Sequence, residues 1–426
     1  MEWATTADAN YCHPTIRWAG YSYNNQVPIK RGAPLHCAQI VTERSQFQSI
    51  YVTFSHICAG SGAYVGRVPQ GDARLLFSGI VHRDYRARGN AISDQHQRIA
   101  PGIGTRITAS FRPAWWCRSA HAQTLWPIYA RRQPQPYYRR ERLELEDGDF
   151  LDLDWLDPDH TDAPVVLVLH GLEGSSQSYY VRALATGLAD RNLRACVMNF
   201  RGCSGEINRL PRSYHAGETQ DPDFIISRIH ERFPGASLFA VGYSLGANML
   251  LKWLGEQGEA ALLMAAIAVS VPFDLGGCAA RLENGWSRIY QYRLLGSMTT
   301  TVRRKAHLLH NQIDVARLLK TGTFRTFDNL GTMPVHGLQY EDDYYTRASC
   351  RRFLRTIHTS FLILQAADDP LMHPRSIPTT GELGPDVTLE VSSHGGHVGF
   401  VGGLLPGLSR YWLDQKIMDY LDSKMT

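Results

Sequence analysis

The sequence predicts an α/β fold, in which a mostly parallel twisted sheet is flanked by helices. Three observations predict it. Apolar runs alternate with segments of helical spacing from residue 164 onward, and the runs are apolar throughout. The composition, 44% hydrophobic and 20% charged, is that of an ordinary globular protein. Continuous apolar runs are typical of strands buried on both faces, and alternation with helices at this rhythm indicates right-handed crossovers between parallel strands.

The elements follow in chain order. Residues 140–156 predict a hairpin, because apolar positions flank the turn signal Asp147-Gly148. The predicted buried strands are 164–170, 194–200, 237–241, 265–271, 360–366 and 387–391. The predicted helices are 178–192, 221–233, 245–258 and the closing amphipathic segment 410–424.

Two regions depart from the alternation. Residues 273–357 are rich in Arg, Leu and Tyr and predict a helical lid or cap inserted into the sheet domain, which is expected to span 109–426. Residues 1–108 show weak periodicity and predict an N-terminal extension of uncertain order, either disordered or unrelated to that domain. No function is assigned to this extension.

Composition excludes several function classes. A net charge of +4 gives no nucleic-acid footprint. The eight cysteines are scattered without a C-x-x-C pair, so neither a disulfide framework nor a zinc site is predicted, and a reducing cytoplasm fits best. No secretory signal is evident, and the apolar run 261–271 is too short to span a bilayer, so any membrane contact is expected to be peripheral. The basic run 131–145 is interpreted as a solvated connector before a strand, with contact to an anionic lipid surface as the alternative.

One short motif carries the chemistry. Residues 241–246 read VGYSLG and place Ser244 between Gly242 and Gly246, on the turn from a predicted strand to a predicted helix. This context indicates a nucleophile elbow, in which the glycines allow close approach of strand and helix while the serine projects its hydroxyl. The N–H of Leu245 then lies at a helix N-terminus, where an anion is favoured. The G-x-S-x-G pattern alone is weak, but its placement between a strand and a helix is specific.

A nucleophilic serine needs a base and a group that orients the base. The loop after the last strand, SSHGGHVGF, offers His394 and His397, and the adjacent glycines favour His397 as the base. The strand 360–366 runs into Asp368 and Asp369, at the strand end where catalytic groups gather in parallel sheets. The order serine, aspartate, histidine is the order of the α/β-hydrolase fold.

An oxyanion needs backbone donors. The segment LHGLEGSS follows a buried strand in the position where this fold supplies an N–H. The predicted donors are the backbone amides of Leu172 and Leu245. His170 and Gly171 are expected to shape this loop.

Six stretches carry a family resemblance: HGLEGSS, NFRGCSGEINR, YHAGETQD, GYSLGAN, AADDP and HGGHVGF. With them, the chain from about residue 111 onward resembles the YheT-type α/β-hydrolases, bacterial relatives of the eukaryotic abhydrolase-domain lipases and phospholipases. The resemblance implies a serine hydrolase of carboxylic esters with Ser244, Asp369 and His397 as its triad. The family pattern after the strand favours Asp369 over Asp368. The segments around Cys203 and around His215 and Glu218 match family marks without a settled chemical role.

The leading hypothesis is therefore a cytoplasmic carboxylesterase that acts on short- to medium-chain esters or monoacylglycerol-like lipids. It needs no metal or organic cofactor, and its expected partner is a small-molecule ester or lipid. A thioesterase or phospholipase with the same triad is an alternative, since pocket shape chooses the scissile group. A non-catalytic binding protein on a hydrolase scaffold is a further alternative. No oligomeric state is predicted.

Overall fold

The structure, a computed structural model, describes strand segments between residues 2 and 69, and residues 103–425 except 133, 134, 159, 161, 339 and 340. The chain divides into two compact units, Met1–Arg98 and Ile99–Thr426. In the first unit the described residues form antiparallel strands of one sheet, Glu2–Asp8, Tyr11–Trp18, Tyr21–Asn24, Val27–Pro28, Ala38–Arg44, Ser49–His56 and Tyr64–Pro69. The other residues of the expected extension up to 102 lie outside the described residues.

In the described part of the second unit, nine strands form one sheet in the order β1-β9-β8-β7-β6-β4-β5-β3-β2. Neighbouring strands are parallel, except that β3 is antiparallel to both β2 and β5. The strands are β1 (Thr105–Thr108), β2 (Arg139–Glu144), β3 (Phe150–Leu156), β4 (Val165–Leu169), β5 (Arg194–Asn199), β6 (Leu238–Tyr243), β7 (Ala265–Val269), β8 (Ser360–Ala366) and β9 (Val387–Ser392). A separate two-stranded hairpin comprises β10 (Val401–Gly402) and β11 (Arg410–Tyr411).

The predicted α/β class, parallel sheet and hairpin are confirmed, with strand ends shifted by one or two residues. Strand β1 was not predicted. Its four side chains are all exposed, so the segment lacks the apolar alternation that identifies a strand. Because Thr105–Thr108 pairs with β9, the sheet reaches back beyond the expected domain start at residue 109.

Helices cover both faces of the sheet. They are α1 (Ala120–Ala130), α2 (Tyr179–Ala189), α3 (Gln220–Arg232), α4 (Leu245–Gln257), α5 (Leu275–Leu282), α6 (Arg288–Leu309), α7 (Val315–Leu318), α8 (Phe324–Phe327), α9 (Met333–Val335), α10 (Glu341–Ala348) and α11 (Trp412–Met425). Helix α1 was not predicted; it contains Pro127 and buries the polar residues Gln123 and Thr124, so it lacks an apolar stripe.

Alternate residues along the central strands enter two separate cores, as the strand period of two requires. Leu167 of β4 packs in the core that holds α3 and α4, whereas its neighbours Val166 and Val168 pack in the core that holds α2 and α11. Residues 273–357, hereafter the helical insertion, contain α5 to α10 and extend the first core. Because β4, β6, β8 and β9 run parallel, their carboxyl ends lie at the same edge of the sheet.

In the basic run 131–145, arginines of the first hairpin strand are neutralised by neighbouring carboxylates. Arg140 donates to Asp154 at 2.7 Å, and Arg142 donates to Asp152 at 2.8 Å. Both aspartates are buried on β3. Residues 139–144 of the run therefore form strand β2 with cross-strand ion pairs, and the expected solvated connector is limited to the part of the run before residue 139. In the described part of the chain, no helix has both the length and the apolar character needed to cross a bilayer.

Candidate active site

Ser244 lies on a sharp turn between β6 and α4. Its φ of 51° and ψ of −116° place it in a backbone region that residues with side chains rarely adopt. The flanking glycines are required by contact: a Cβ on Gly246 would lie 2.5 Å from the carbonyl oxygen of His170, and one on Gly242 would lie 2.7 Å from the Cα of Ala247. Strand and helix therefore approach too closely for any side chain at these two positions.

Three side chains from separate elements form a hydrogen-bonded row. His397 Nε2 lies 2.9 Å from Ser244 Oγ, and His397 Nδ1 lies 2.8 Å from Asp369 Oδ2. Asp369 is buried, and its Oδ1 accepts the backbone N–H of Leu371 at 2.9 Å. This contact fixes Oδ1 of Asp369, while Oδ2 lies toward the imidazole of His397.

The structure separates the two aspartates and the two histidines between which the sequence had to choose. Asp368 Oδ1 accepts the N–H of Gly396 at 2.9 Å, and burial raises the pKa of its carboxyl. His394 is exposed, with its Nδ1 3.0 Å from Ser393 Oγ. The row beside Ser244 is thus formed by Asp369 and His397, while Asp368 supports the loop that carries the histidine.

The loop of His397 is held in a strained conformation by residues that the sequence analysis did not identify. The N–H of His397 donates to Thr124 Oγ1 on α1 at 2.9 Å, and the N–H of Val398 donates to Ser270 Oγ at 3.0 Å. Val398 and Ser270 both have positive φ, 55° and 53°. Such strain persists only where surrounding bonds over-determine the backbone. Neither Thr124 nor Ser270 stands in a motif, so only tertiary structure reveals this support.

Leu172 and Leu245 both line the cavity beside Ser244. Leu245 is the first residue of α4, and Leu172 follows Gly171, whose added Cβ would lie 3.3 Å from Ser244 Cβ. The N–H of Gly171 donates to the hydroxyl of Tyr180 at 2.9 Å, which fixes the start of the loop. Within the described residues, neither the Leu172 amide nor the Leu245 amide donates to a protein acceptor.

The next residue of this loop, Glu173, is tied to the helical insertion. Its carboxylate accepts the hydroxyls of Ser297 and Thr301 on α6, at 3.0 and 2.9 Å. The hydroxyl of Tyr214 donates to its Oε1 at 2.9 Å and accepts the N–H of Glu173 itself at 2.8 Å. Glu173 has a φ of 54°, so these contacts hold a strained loop next to Leu172.

His170 is a structural residue of the same loop. Its Nδ1 donates to the carbonyl oxygen of Gly171 at 2.8 Å, and its Nε2 accepts the N–H of Phe200 at 3.1 Å. Complete burial lowers its pKa to about 4. The ring is therefore neutral near pH 7 and shapes the loop, as the sequence analysis expects.

Ser244 and His397 open onto a cavity of about 550 Å³ that also borders Leu172 and Leu245. The helical insertion supplies most of its apolar wall, including Leu275, Leu294, Met298, Val302, Phe324 and Phe327. The wall of the cavity is therefore largely apolar, and its polar lining includes Arg293, Asp328 and His336 as well as Ser244. In the described residues no group of three or more His, Cys, Asp or Glu side chains is arranged to hold a metal ion.

A family model described as alpha/beta hydrolase fold matches residues 164–404. The chain belongs to the α/β-hydrolase family. YheT of Escherichia coli (strain K12), described as a candidate esterase, is 40% identical over 74% of this chain and 93% of that protein. The human phospholipase ABHD3 is 33% identical over 72% of this chain and 77% of that protein. The monoacylglycerol lipase of Saccharomyces cerevisiae is 34% identical over 56% of this chain and 55% of that protein.

The resemblance to YheT-type α/β-hydrolases is thus confirmed. The structure also gives the unexplained motifs of this α/β-hydrolase a structural setting. Arg201 donates to Asp221 at 2.7 and 2.8 Å, and Glu218 accepts Arg212 at 2.7 Å. Burial lowers the pKa of His215 to about 4, and its Nδ1 accepts the N–H of Gly217. These contacts brace the loop between β5 and α3, and His215 itself lines the cavity.

Proposed function

We propose that the chain hydrolyses carboxylic esters through an acyl-enzyme on Ser244. The observation that carries this proposal is the row of contacts from Asp369 Oδ2 through His397 to Ser244 Oγ, at 2.8 and 2.9 Å, at the wall of an apolar cavity. Membership of the α/β-hydrolase family and the lipase and phospholipase relatives support the same reaction class.

In acylation, Ser244 Oγ attacks the ester carbonyl carbon while its proton passes to His397 Nε2. The electron pair of the carbonyl bond moves to oxygen, and the amides of Leu172 and Leu245 donate to this oxyanion. Asp369 holds Nδ1–H of the imidazole and stabilises the imidazolium. When the tetrahedral intermediate collapses, the alcohol leaves with the proton from Nε2.

Deacylation repeats these steps with water. His397 Nε2 takes a proton from water as the water oxygen attacks the acyl carbon, and Ser244 Oγ then leaves with that proton. The products are the carboxylic acid and the free serine. No metal or organic cofactor takes part in the proposed cycle.

The proposed substrates are short- to medium-chain acyl esters or monoacylglycerol-like lipids. The apolar wall built by Leu294, Met298 and Val302 suits an acyl chain, since such side chains bury apolar surface without an unsatisfied polar group. The relative named monoacylglycerol lipase supports a lipid ester. A cytoplasmic location is part of the proposal and is supported by the scattered cysteines.

Phospholipid hydrolysis on the same residues is the second candidate, and the similarity to phospholipase ABHD3 favours it. A thioester would use the same residues. A panel of p-nitrophenyl esters of increasing acyl length, monoacylglycerols, thioesters and phospholipids separates these classes. We expect turnover of short p-nitrophenyl esters, with kcat/KM rising as the acyl chain fills the cavity.

A fluorophosphonate probe tests the proposal itself. We expect it to label the wild-type chain and to leave Ser244→Ala, which lacks the nucleophile, unlabelled. A folded wild-type chain that resists labelling and cleaves none of the panel would instead support a binding protein on a hydrolase scaffold.

A further inference from the structure

A small hairpin beyond the loop of His397 presents leucines to solvent. Strands β10 and β11 pair antiparallel, and the tip between them reads GLLPGLS, residues 403–409. Leu404, Leu405 and Leu408 are 80%, 54% and 70% exposed. Trp115 lies beside them and is 66% exposed. Together these four side chains form the leucine surface, an apolar patch of the kind that marks an interaction site.

The tip is held in place by hydrogen bonds. The N–H of Leu408 donates to the carbonyl oxygen of Leu405 at 2.9 Å, and the indole of Trp115 donates to that of Leu404 at 2.9 Å. Trp126 of α1 donates to Ser409 Oγ at 3.2 Å. These bonds fix the backbone while the leucine side chains point outward, so the apolar face is preorganised.

The surroundings of the leucine surface are basic. Residues 103–140 and 393–413 contain neither Asp nor Glu. Arg112, Arg118 and Arg410 are exposed, and in the described part of the chain none of them forms an ion pair. The next carboxylate along the chain, Asp414, is already bonded to Arg131. Within these two segments the uncompensated charge is therefore positive.

We propose that the leucine surface, with Arg112, Arg118 and Arg410, docks the chain onto an anionic lipid surface. Leucine and tryptophan side chains enter the boundary between headgroups and acyl chains, and arginines beside them bind lipid phosphates. The three flanking charges have the same sign, and a lipid surface of uniform negative charge complements them.

The docking surface is joined to the candidate active site through α1. The side chain of Gln123 donates to the carbonyl oxygen of Val401 at 2.9 Å, and the adjacent Thr124 holds the N–H of His397. Thr124 also lines the cavity. The docking proposal rests on the proposed function, because it names a lipid surface as the place where the protein meets its substrate. The binding step itself needs no catalysis.

Vesicle sedimentation of the full-length Ser244→Ala chain tests the proposal without turnover. We expect binding to vesicles of phosphatidylcholine and phosphatidylglycerol, weak binding to phosphatidylcholine alone, and release as salt screens the charges. The double variant L404S/L405S is expected to lose about tenfold or more in vesicle affinity. Replacing all three arginines, R112Q/R118Q/R410Q, is expected to lower vesicle affinity roughly a hundredfold, from about fivefold for each arginine near the surface.

Matched controls remove similar groups elsewhere. Leu262 and Met264 are 42% and 50% exposed just before β7, at the strand end opposite the cavity, so L262S/M264S should bind vesicles as the parent does. Three other exposed arginines provide the charge control, which is R352Q/R355Q/R375Q. Equal losses in the controls and the test variants would overturn the proposal, as would a parent chain that binds neither kind of vesicle.

Other occupants of the surface give different results that also contradict lipid docking. A dimer that L404S/L405S converts to monomer, with vesicle binding unchanged, would assign the surface to a second copy. Vesicle binding that appears only after removal of residues 1–98 would mean that this segment occupies the leucine surface. Hydrolysis of a short soluble ester by L404S/L405S should equal that of the wild type. If fluorophosphonate labelling fails while vesicle binding holds, docking stands and ester hydrolysis is wrong.

Discussion

The ammonium group of Lys305 donates to the side-chain oxygen of Asn208 at 2.7 Å. Lys305 lies on α6 of the helical insertion and is almost fully buried, whereas Asn208 belongs to the loop between β5 and α3. The same ammonium donates to the carbonyl oxygen of Arg212 and to the hydroxyl of Ser213, both at 2.9 Å. Asn208 in turn donates to Asp149 beside the β2–β3 hairpin. One buried lysine thus anchors the insertion to the sheet domain.

Replacing this lysine should loosen the anchor. Lys305→Met removes the donor of one buried and two partly buried acceptors, and we expect it to lower the free energy of unfolding by roughly 1–3 kcal/mol. Urea unfolding near pH 7 measures the change. Lys320, an exposed lysine of the same insertion, is the control, and Lys320→Met should stay within about 0.5 kcal/mol of wild type. Equal effects of the two variants would contradict the anchoring role.

The same lysine predicts a pH dependence of stability. Burial lowers the pKa of Lys305 from its ordinary 10.5 to about 8. Between these values the unfolded chain binds the proton and the folded chain does not, so stability contributed by this group rises with pH, by about 1.4 kcal/mol per pH unit. The stability difference between wild type and Lys305→Met should therefore grow above about pH 8. Parallel stability profiles would show that the lysine titrates normally.

Glu173 joins the loop of Leu172 to α6, and its removal should impair the oxyanion donor. We expect Glu173→Ala to lower kcat by about tenfold to a hundredfold with a smaller change in KM, because a displaced donor is lost mainly in the transition state. Thr301→Val removes one of the contacts to the carboxylate and should give a smaller loss of kcat. Steady-state kinetics on a short p-nitrophenyl ester measures both.

Thr300 supplies the matched control for this prediction. Its hydroxyl donates to the carbonyl oxygen of Gly296 within its own helix, at 2.8 Å, and not to the loop. Thr300→Val should therefore leave kcat unchanged. A loss of kcat in Thr300→Val as large as in Thr301→Val would mean that the helix, not the contact to Glu173, is responsible.

Asp369 and Asp368 are adjacent but contact different groups, so their amide variants should differ. Asp369→Asn removes the carboxylate that orients the imidazole, and we expect kcat to fall by about ten-thousandfold with the fold retained. Asp368→Asn keeps an oxygen that accepts the N–H of Gly396 and should have a mild effect. Ester turnover and circular dichroism of both variants check this. The reverse order of effects would exclude the proposed role of Asp369.

Replacement by alanine should change the stability of the protein in opposite directions at two glycines. Gly246→Ala places a Cβ 2.5 Å from the carbonyl oxygen of His170, so backbone must move, and we expect lower stability and lost turnover together. A Cβ added to Gly296 on α6 would meet no atom within 4 Å, and Gly296→Ala should raise stability by roughly 0.5–1 kcal/mol. Thermal unfolding distinguishes the two. Tolerance of Gly246→Ala would mean that the elbow is looser than its geometry indicates.

The sheet and the elbow of Ser244 could be predicted from the sequence because their signals are local, whereas the choice of Asp369 over Asp368 came from the family resemblance. Buried parallel strands read as continuous apolar runs, and Ser244 stands in a strand–turn–helix context within six residues. The end of β7 was misplaced for the same reason. Ser270 continues an apolar run, yet it takes a positive φ, and its hydroxyl accepts the N–H of Val398.

Contacts between distant segments carry no such signal. Glu173 and Thr301 are 128 positions apart, and nothing in either local sequence predicts that they meet. Helix α1 escaped prediction because Gln123 and Thr124 are buried to bond backbone groups, which inverts the usual apolar pattern. The sequence therefore identifies groups that act in the proposed reaction more readily than groups that position them.

The N-terminal boundary yields a final prediction from two truncations. All residues of the candidate site lie beyond residue 98, so removal of 1–98 should leave short-ester turnover intact. Removal of 1–108 also deletes β1, which pairs with β9, and a backbone bond from Gly104 to Leu383. We expect this second truncation to lower the free energy of unfolding by roughly 1–3 kcal/mol relative to the first. Loss of turnover on removal of 1–98 with the fold preserved would show that the first unit contributes to the reaction, and equal stability of both truncations would show that β1 is dispensable.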